Sequence, residues 1–305
     1  MLDAERCRRI LRQAFPSLDI GDVRYFAQGW DYELWAVGGE LLFRFPMREA
    51  CVEPMRKEVR LLPELADALP VPIPRPEYVS HGCEAFGWPF YGYRKIEGTP
   101  LSEALLSDQQ REAVAGELGR FLSALHRFPI ERAEALGVRA HDGPAWRERY
   151  RRMQARCERA VAPYFSADER RAVEAFWRSF LGNAAHFAFR PTLLHGDLDG
   201  AHVLVDPEIG KMTGVIDFGD ARVGDPAFDF SGYPEFKEET FDAPLREAIL
   251  AAYELPLDET FRERAAIYRD RISPFHAVLH GIETGDDDWL QRGLAAVREW
   301  IAAPA

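Results

Sequence analysis

The residues best suited to chemistry lie in two short motifs in the second half of the chain, LHGDLDGAHVLVD at 194–206 and GVIDFGD at 214–220. Asp197 is followed five residues later by His202, and Asp217 begins an Asp-Phe-Gly tripeptide. A positioned aspartate can accept a proton from a hydroxyl group, and a carboxylate oxygen is a ligand that Mg²⁺ prefers. The motifs therefore predict a general base and a divalent-metal ligand close together.

The order and spacing of the two motifs are typical of kinase-type phosphoryl transfer. In that pattern a catalytic-loop Asp precedes a metal ligand by five residues, and Asp-Phe-Gly follows on the next hairpin. We predict Asp197 as the catalytic base and His202 and Asp217 as ligands of Mg²⁺. Strands at 203–205 and 213–216 would form a hairpin that holds the motifs together. Aspartates that only cap turns would explain each motif alone but not their joint order.

The elements that must position these residues divide into a sheet-rich part and a helical part. A Glu-Gly-Thr-Pro break at 97–100 marks the boundary. It separates a small lobe of residues 1–96, with an antiparallel sheet, from a larger, mainly helical lobe of residues 97–305. The predicted fold class is α+β. Ser107 and Ser166 are each followed three residues later by Gln or Glu, which predicts a capping box at each helix start.

Apolar periodicity and turn residues locate the elements of the small lobe. Prolines between residues 70 and 76 forbid helix there, so the second helix must end before them. The predicted elements are a helix at 2–15, strands at 23–27, 34–37 and 41–45, a helix that ends near Leu69, and strands at 77–80 and 88–95.

The small lobe is expected to bind the nucleotide. Gly29, Trp30 and Asp31 lie in the turn between the first two predicted strands, where backbone N–H groups can approach phosphates. An ordinary hairpin turn explains a single glycine equally well. Arg44 on the third strand and Glu58 on the next helix stand where a kinase has its phosphate-binding cation and the acid that orients it. Either residue alone would be interpreted as a surface charge.

The composition restricts partners and location. The 305 residues are 47% hydrophobic and 29% charged, and no run approaches the about 20 apolar residues that span a bilayer. The first residues lack the features of a secretory signal and the four cysteines form no CxxC pair, so we expect a soluble, cytoplasmic protein with reduced thiols. A net charge of -12 argues against nucleic-acid binding and favours a cationic small molecule. We expect no membrane contact and no obligate protein partner.

Seven motifs in a specific order make the sequence resemble the aminoglycoside phosphotransferase family, and most closely its 2''-phosphotransferases. The resemblance covers nearly the whole chain. It implies a protein-kinase-like fold and transfer of the γ-phosphoryl group of ATP or GTP to an aminoglycoside hydroxyl. The added negative charge would inactivate a drug that recognises RNA through positive charge. The motifs are AQGWDYELW, LLFRFP, PVPIPRP, FYGYRKIEGTPL, RFLSALH, HGDLDGAHVLVD and GVIDFGDARVGDPAFDF.

The resemblance also implies roles for individual residues. Asp197 stands at the family's catalytic base, and His202 and Asp217 stand at its two magnesium-ligand positions. Arg44 and Glu58 occupy the places of the Lys–Glu pair of kinases. The residues implied to bind the purine at the hinge between lobes are Tyr93, Arg94 and Ile96, and those implied to meet the drug are Asp197, Glu235, Glu238 and Glu239.

Three features depart from the common pattern. His202 stands where most kinases have Asn, although the 2''-phosphotransferases and the macrolide 2'-phosphotransferases resemble this chain there. Imidazole is a softer ligand than an amide oxygen, so Mn²⁺ should also be tolerated. Activity is expected to fall below the His pKa of about 6.5, because a protonated ring cannot bind metal. Arg44 stands where kinases have Lys, so it offers a planar guanidinium in place of a compact ammonium group. Phe236 and Lys237 interrupt the acidic run formed by Glu235, Glu238 and Glu239.

Three alternative functions stay open. The GAHVLVD stretch also resembles the macrolide 2'-phosphotransferases, whose substrates carry one amine in an apolar body. A metabolic kinase for another hydroxylated amine would use the same core with a different pocket. A pseudokinase that binds nucleotide without transferring phosphate belongs to another class, but all three core positions carry residues that can do the chemistry.

Overall fold

The computed structural model describes residues 2–231 and 241–302. Of the predicted substrate residues, Asp197 lies within these ranges, and the three glutamates fall outside them together with the two residues that interrupt the glutamates. They are Glu235, Phe236, Lys237, Glu238 and Glu239.

The small lobe is a five-stranded antiparallel sheet with a helix before it and a helix inserted into it. The strand order is β1-β2-β3-β5-β4. Aromatic and apolar residues of adjacent strands face one side and pack against the first helix. The elements are α1 (Ala4–Ala14), β1 (Val23–Gln28), β2 (Tyr32–Val37), β3 (Leu41–Pro46), α2 (Val52–Ala68), β4 (Tyr78–Ser80) and β5 (Phe90–Arg94).

An aromatic cluster forms the core of this lobe. The ring of Phe15, just after α1, lies 5.9 Å from that of Phe43 on β3 and 5.8 Å from that of Phe90 on β5. Gly92 is required beside them, since a Cβ there would lie 2.5 Å from the Phe43 ring. Burial of these rings fixes β3 and therefore the position of Arg44, which β3 carries.

The large lobe is mainly helical and contains two small β-pairings. Its elements are β6 (Thr99–Pro100), α3 (Asp108–His126), α4 (Ile130–Ala135), α5 (Gly143–Ala160), α6 (Ala167–Gly182), β7 (Thr192–Leu194), β8 (Val203–Asp206), β9 (Lys211–Val215), β10 (Arg222–Gly224), α7 (Ala243–Ala252), α8 (Phe261–Ile267), α9 (Ser273–Thr284) and α10 (Asp287–Ala302). Strand β8 pairs with β6 and β9, and β10 pairs with β7.

The core of the large lobe is built around Trp146 of α5. Its ring packs edge-on against Tyr150 and Phe228, and its Nε1 donates to the hydroxyl of Tyr268 (3.0 Å). Gly224 makes room for this ring, because a Cβ there would lie 2.4 Å from it. Packing around one tryptophan thus joins α5, β10 and the turn after α8.

The two-lobed α+β prediction is confirmed, and the element ends agree within a few residues. Both predicted capping boxes are present, at Ser107 and Ser166. The hairpin pairing of Val203 with Val215 is also as predicted. The boundary after residue 96 stays a prediction. Among the described helices, none combines the length and apolarity needed to cross a membrane.

Candidate active site

The first motif forms a loop between β7 and β8 that is anchored by a buried aspartate. The Asp229 carboxylate accepts hydrogen bonds from the backbone N–H groups of His195 (2.8 Å) and Gly196 (2.9 Å). His126 Nε2 lies 3.1 Å from Asp229 Oδ2. Burial opposes ionisation of Asp229, but these donors outweigh it and hold its pKa below the ordinary value. The start of the loop is therefore held by Asp229, in the turn after β10, and Asp229 is in turn held by His126 at the end of α3.

His195 joins the two motifs to each other. Its Nε2 donates to the carbonyl of Ile216 (2.9 Å), and its Nδ1 accepts from the N–H of Asp197 (3.3 Å). The ring is completely buried, and burial lowers its pKa. His195 is therefore a neutral structural bridge, and it explains why the residue before Asp217 lies beside the loop of Asp197.

His202 lies between Asp197, the predicted base, and Asp217, the other predicted metal ligand. Its Nδ1 donates to the carbonyl of Asp197 (2.7 Å), which leaves Nε2 directed toward Asp217 Oδ2 at 4.0 Å. Asp199 orients the same turn, because its Oδ1 accepts from the N–H groups of Ala201 (2.8 Å) and His202 (3.1 Å). The backbone carbonyl thus fixes which ring nitrogen is available to a ligand.

Asp217 has an unusual backbone conformation. Its φ of 65° lies in the left-handed region, and no other non-glycine residue of the described ranges has a positive φ. One oxygen, Oδ1, accepts from Arg44 Nη2 (2.8 Å), and the other faces His202. Such strain persists only where the surroundings hold it, and it is concentrated at functional sites.

The charges of this cluster are strongly coupled. Burial disfavours the charge of Asp217, but Arg44 and His202 outweigh it and lower its pKa. Burial also disfavours the charge of His202, but Asp199, Asp217 and Asp197 outweigh it and raise its pKa. Burial raises the pKa of Asp197. Without a bound cation, the cluster therefore favours a proton on His202.

Arg44 and Glu58 approach each other, but the contact is long. Arg44 Nε lies 3.7 Å from Glu58 Oε2, and the guanidinium lies 3.9 Å above the ring centre of Tyr32. Glu58 is almost completely buried, and burial raises its pKa to about 7 in spite of Arg44. Arg44 is therefore bound more closely to Asp217 than to the acid expected to orient it.

The predicted phosphate turn is an ordinary tight hairpin in its backbone bonding. The N–H of Gly29 donates to the carbonyl of Tyr32 (3.0 Å), and the Asp31 carboxylate pairs with Arg48. Trp30 at the tip is 59% exposed, and its ring packs edge-on against His280 of α9 at 4.0 Å. The turn thus touches the large lobe, a contact that the sequence did not predict.

The hinge residues lie at the end of β5. Tyr93 is buried and pairs with Leu42, whereas the Arg94 side chain is exposed and forms an ion pair with Glu40 at 3.2 Å. The N–H of Lys95 donates to the carbonyl of Glu40 (2.8 Å). The side chain of Arg94 thus lies at the surface of the sheet. Pairing of its backbone groups with the purine stays a prediction.

The donors present fit a metal that arrives with phosphates. No group of three or more His, Cys, Asp or Glu side chains in the described ranges is arranged to hold a metal by itself. Two donors face each other, Nε2 of His202 and Oδ2 of Asp217. Mg²⁺ is commonly bound by one or two protein groups together with substrate phosphates and water, so a two-donor site is consistent with such an ion.

Comparison with known proteins identifies the fold and the family. The sequence profile of the phosphotransferase enzyme family (APH) matches residues 22–267. The chain belongs to this family. Viomycin phosphotransferase of Streptomyces vinaceus is 27% identical over 216 residues, which cover 69% of this chain and 70% of that protein. The uncharacterized protein YcbJ of Bacillus subtilis is 37% identical over 71 residues, 23% of each chain.

Solved structures of phosphotransferases resemble the whole chain. The GDP and kanamycin complex of APH(2'')-IIIa has a TM-score of 0.85 and 26% identity, and the match covers 96% of this chain and 97% of that one. The macrolide 2'-phosphotransferase MphH from Brachybacterium faecium has a TM-score of 0.72 at 24% identity, covering 98% and 99%. The second match shows the fold alone. As a member of the phosphotransferase family, this chain is a nucleotide-dependent phosphotransferase.

Sequence reasoning missed three supports of this phosphotransferase site. They are the anchoring of the catalytic loop by Asp229, the bond from Arg44 to Asp217, and the contacts of Lys57, which lies beside Glu58 on α2. Only Asp229 could have been found from the sequence, since it lies in GDPAFDF at 224–230, the end of one of the seven motifs. The other two depend on which way a long side chain points after the lobes pack.

Proposed function

We propose that this enzyme transfers the γ-phosphoryl group of ATP or GTP to a hydroxyl of an aminoglycoside. The observation that carries the proposal is the position of His202, which donates to the Asp197 carbonyl and faces the Asp217 carboxylate at 4.0 Å. Base and metal-ligand candidates from two separate motifs thus share one half-buried cluster. The likeness to a kanamycin-bound phosphotransferase over 96% of the chain supports the substrate class.

Asp197 is the proposed catalytic base. Its side chain is 35% exposed, so an acceptor hydroxyl can reach it. In its ionised form it accepts a hydrogen bond from the hydroxyl, orients the oxygen toward the phosphorus, and takes the proton as the bond forms. Because little covalent chemistry falls to the protein in such a transfer, orientation by Asp197 supplies much of its effect.

His202 Nε2 and Asp217 Oδ2 would hold Mg²⁺, and Mn²⁺ would be tolerated because one donor is an imidazole. When bound, such an ion neutralises charge on the phosphates. Asp217 keeps its carboxylate in place through its left-handed backbone, and the Asp197 carbonyl keeps the His202 ring in place. Arg44 provides the second positive charge for the phosphates.

The nucleotide is proposed to lie between the small lobe and this cluster. The turn of Gly29, Trp30 and Asp31 covers the phosphates, with the backbone N–H groups of Trp30 and Asp31 as donors because that of Gly29 is bound to the Tyr32 carbonyl. Glu58 holds Arg44 beneath the phosphates through their 3.7 Å ion pair. The purine pairs with backbone groups of the hinge at Tyr93, Arg94 and Ile96. Since backbone groups are present for either base, ATP and GTP are both proposed as donors. The residues proposed for nucleotide binding are Gly29, Trp30, Asp31, Arg44, Glu58, Tyr93, Arg94 and Ile96.

The substrate is proposed to be a polycation. The chain carries a net charge of -12, and three acids follow the second motif closely in sequence. Ammonium groups of the substrate would pair with Glu235, Glu238 and Glu239. The positive charge of Lys237 among them would limit the number of ammonium groups that bind. A cytoplasmic location is proposed because the co-substrate is made there, and the four free cysteines suit a reducing compartment. No protein partner is proposed.

Substrate-dependent nucleotide turnover tests the proposal. Kanamycin- and gentamicin-like compounds should raise turnover of ATP or GTP above the basal rate. Erythromycin-like compounds should not raise it. Stimulation by erythromycin alone would favour a macrolide enzyme, and no stimulation by either class would favour a metabolic substrate or a pseudokinase.

A further inference from the structure

Lys57 of α2 contacts the backbone of the loop that follows Asp217. Its Nζ donates to the carbonyl of Gly219 (2.6 Å) and to the carbonyl of Ala221 (2.9 Å). The side chain is half-buried rather than extended into solvent. Hydrogen bonds from an ammonium group to carbonyls are stronger than those between neutral groups, so this pair of contacts ties α2 to the loop at two points.

The same turn of α2 reaches the loop by a second route. Glu58, the next residue, faces Arg44, and Arg44 Nη2 donates to the Asp217 carboxylate. Adjacent helix residues point in directions about 100° apart, so the two residues reach the loop from different sides. The loop is therefore held through the side chain of its first residue and through the carbonyls of its third and fifth residues.

The backbone of Asp217 makes this support necessary. Its left-handed conformation is costly for a residue with a Cβ, and its own internal hydrogen bond, from the N–H of Gly219 to Oδ1, is long at 3.4 Å. A Cβ on Gly219 would lie 3.3 Å from Asp217 Oδ1 and 3.4 Å from Arg44 Nη2, so the loop backbone passes close to this hydrogen-bonded pair. The N–H of Ala221 donates to the carbonyl of Phe218 (3.0 Å) and closes the loop, but only a long internal bond reaches Asp217, and Lys57 adds two external donors to the loop backbone.

We propose that Lys57 is a positioning residue for phosphoryl transfer, which holds the 217–221 loop against α2 so that Asp217 faces His202. The proposal rests on the proposed role of Asp217 as a metal ligand. Lys57 does not touch substrate or metal; it acts through the loop. Groups that orient a metal ligand from behind typically change metal affinity about 10- to 100-fold when removed.

The test measures Mn²⁺ binding in the presence of GDP and without any acceptor, so it does not depend on the substrate. Lys57→Met keeps the apolar stem and removes the donor, and we expect Mn²⁺ affinity to fall at least about 10-fold. GDP binding in EDTA should stay within about threefold, because purine and hinge are untouched. Lys57→Arg, which keeps the charge, should recover most of the loss. Arg56→Met is the matched control, since Arg56 is exposed on the same helix and pairs with Glu53.

The variants distinguish the role of Lys57 from that of Asp217. If Asp217→Asn fails to weaken Mn²⁺ binding, the proposed role of Asp217 is wrong and the inference about Lys57 falls with it. If Asp217→Asn weakens binding but Lys57→Met binds Mn²⁺ like the native chain, only the inference about Lys57 is wrong. Equal loss of GDP binding in EDTA and of Mn²⁺ binding also overturns it, because that reports general damage to the cleft. Should Lys57→Met fail to fold, weaker Mn²⁺ binding by Lys57→Gln than by Lys57→Arg supports the inference, and equal binding overturns it.

Discussion

Arg44 is hydrogen-bonded to Asp217, whereas its ion pair with Glu58 is long. Its Nη2 lies 2.8 Å from Asp217 Oδ1, whereas its Nε lies 3.7 Å from Glu58 Oε2. Among the described residues, neither that Nε nor that Oε2 has a hydrogen-bond partner. A nucleotide with its cation would compete with Arg44 for Asp217 and would offer phosphate oxygens in exchange. We therefore expect Arg44 to move from the aspartate to the phosphates when nucleotide binds.

This exchange predicts the effect of substitutions at Arg44. Arg44→Ala should raise the nucleotide Kd at least about 10-fold, since a charge-assisted contact to phosphate is lost. Arg44→Lys should lie between this variant and the native chain, because it keeps the charge but not the fork. Isothermal titration with GDP and Mg²⁺ measures the effect. Arg24→Ala, which removes an exposed arginine of β1, is the control, and native affinity in Arg44→Ala would contradict the account.

The pH dependence of metal binding follows from the charge of His202. Neighbouring carboxylates raise its pKa above the ordinary value of about 6.5, so the proton must leave before Nε2 can bind a cation. Mn²⁺ affinity should therefore rise with pH until the raised pKa of the ring is passed, by at most tenfold for each pH unit while the ring is protonated, and level off above it. From the ordinary His pKa, activity was expected to fall below about pH 6.5. Because the pKa of His202 is raised, we expect the fall to begin at a higher pH.

A substitution distinguishes the contribution of His202 to this pH dependence from that of the carboxylates around it. His202→Asn removes the titrating ring and keeps a polar side chain, so the Mn²⁺ affinity should depend less steeply on pH than in the native chain. Electron paramagnetic resonance of free Mn²⁺ gives the affinity at each pH. The same slope in both proteins would mean that His202 does not give up a proton to the metal.

A buried ion pair between Arg264 and Asp225 lies next to the turn that anchors the loop between β7 and β8. Arg264 donates through Nε to Asp225 Oδ2 (2.6 Å) and through Nη2 to Oδ1 (2.9 Å), and both side chains are fully buried. Arg264→Leu leaves the Asp225 charge without its partner and should lower the free energy of unfolding by about 3–5 kcal/mol. Tyr268→Phe, which removes a 2.6 Å donor to Asp225, should cost about 1–2 kcal/mol.

Urea denaturation measures both values. Arg262→Ala is the matched control, because Arg262 lies two residues away in an exposed pair with Glu247 and should cost less than about 1 kcal/mol. An Arg264→Leu variant no less stable than Arg262→Ala would show that the pair is not a support. Since Asp225 precedes the turn that carries Asp229, a loss at this pair should also loosen the catalytic loop.

Local patterns predicted much of this fold, and contacts between distant segments were not predictable. The capping boxes at Ser107 and Ser166 follow from four neighbouring residues, so the sequence specifies them. The hairpin of the two motifs was predicted, but β9 begins at Lys211 rather than Thr213, because the pairing continues past a register shift at Leu204/Val205 to Asp206–Lys211. Such an irregularity depends on the partner strand.

The site shows the same division. Asp197, His202 and Asp217 were found from their order in the sequence, and they do meet in one cluster. Arg44 and Asp217 are 173 residues apart, and either Glu58 or Asp217 could have been the acid nearer to Arg44. Only the packing of α2 against the loop decides between them, and the same packing gives Lys57 its two carbonyls.

The most direct measurement is detection of phosphorylated kanamycin by mass spectrometry after incubation with ATP or GTP and Mg²⁺. The native chain should form the phosphorylated drug, and Asp197→Asn should form it at least about 10²-fold more slowly, because the base is lost while the metal ligands remain. GDP binding should be unchanged in that variant. Release of inorganic phosphate without phosphorylated drug, or product formation by Asp197→Asn at the native rate, would contradict the account.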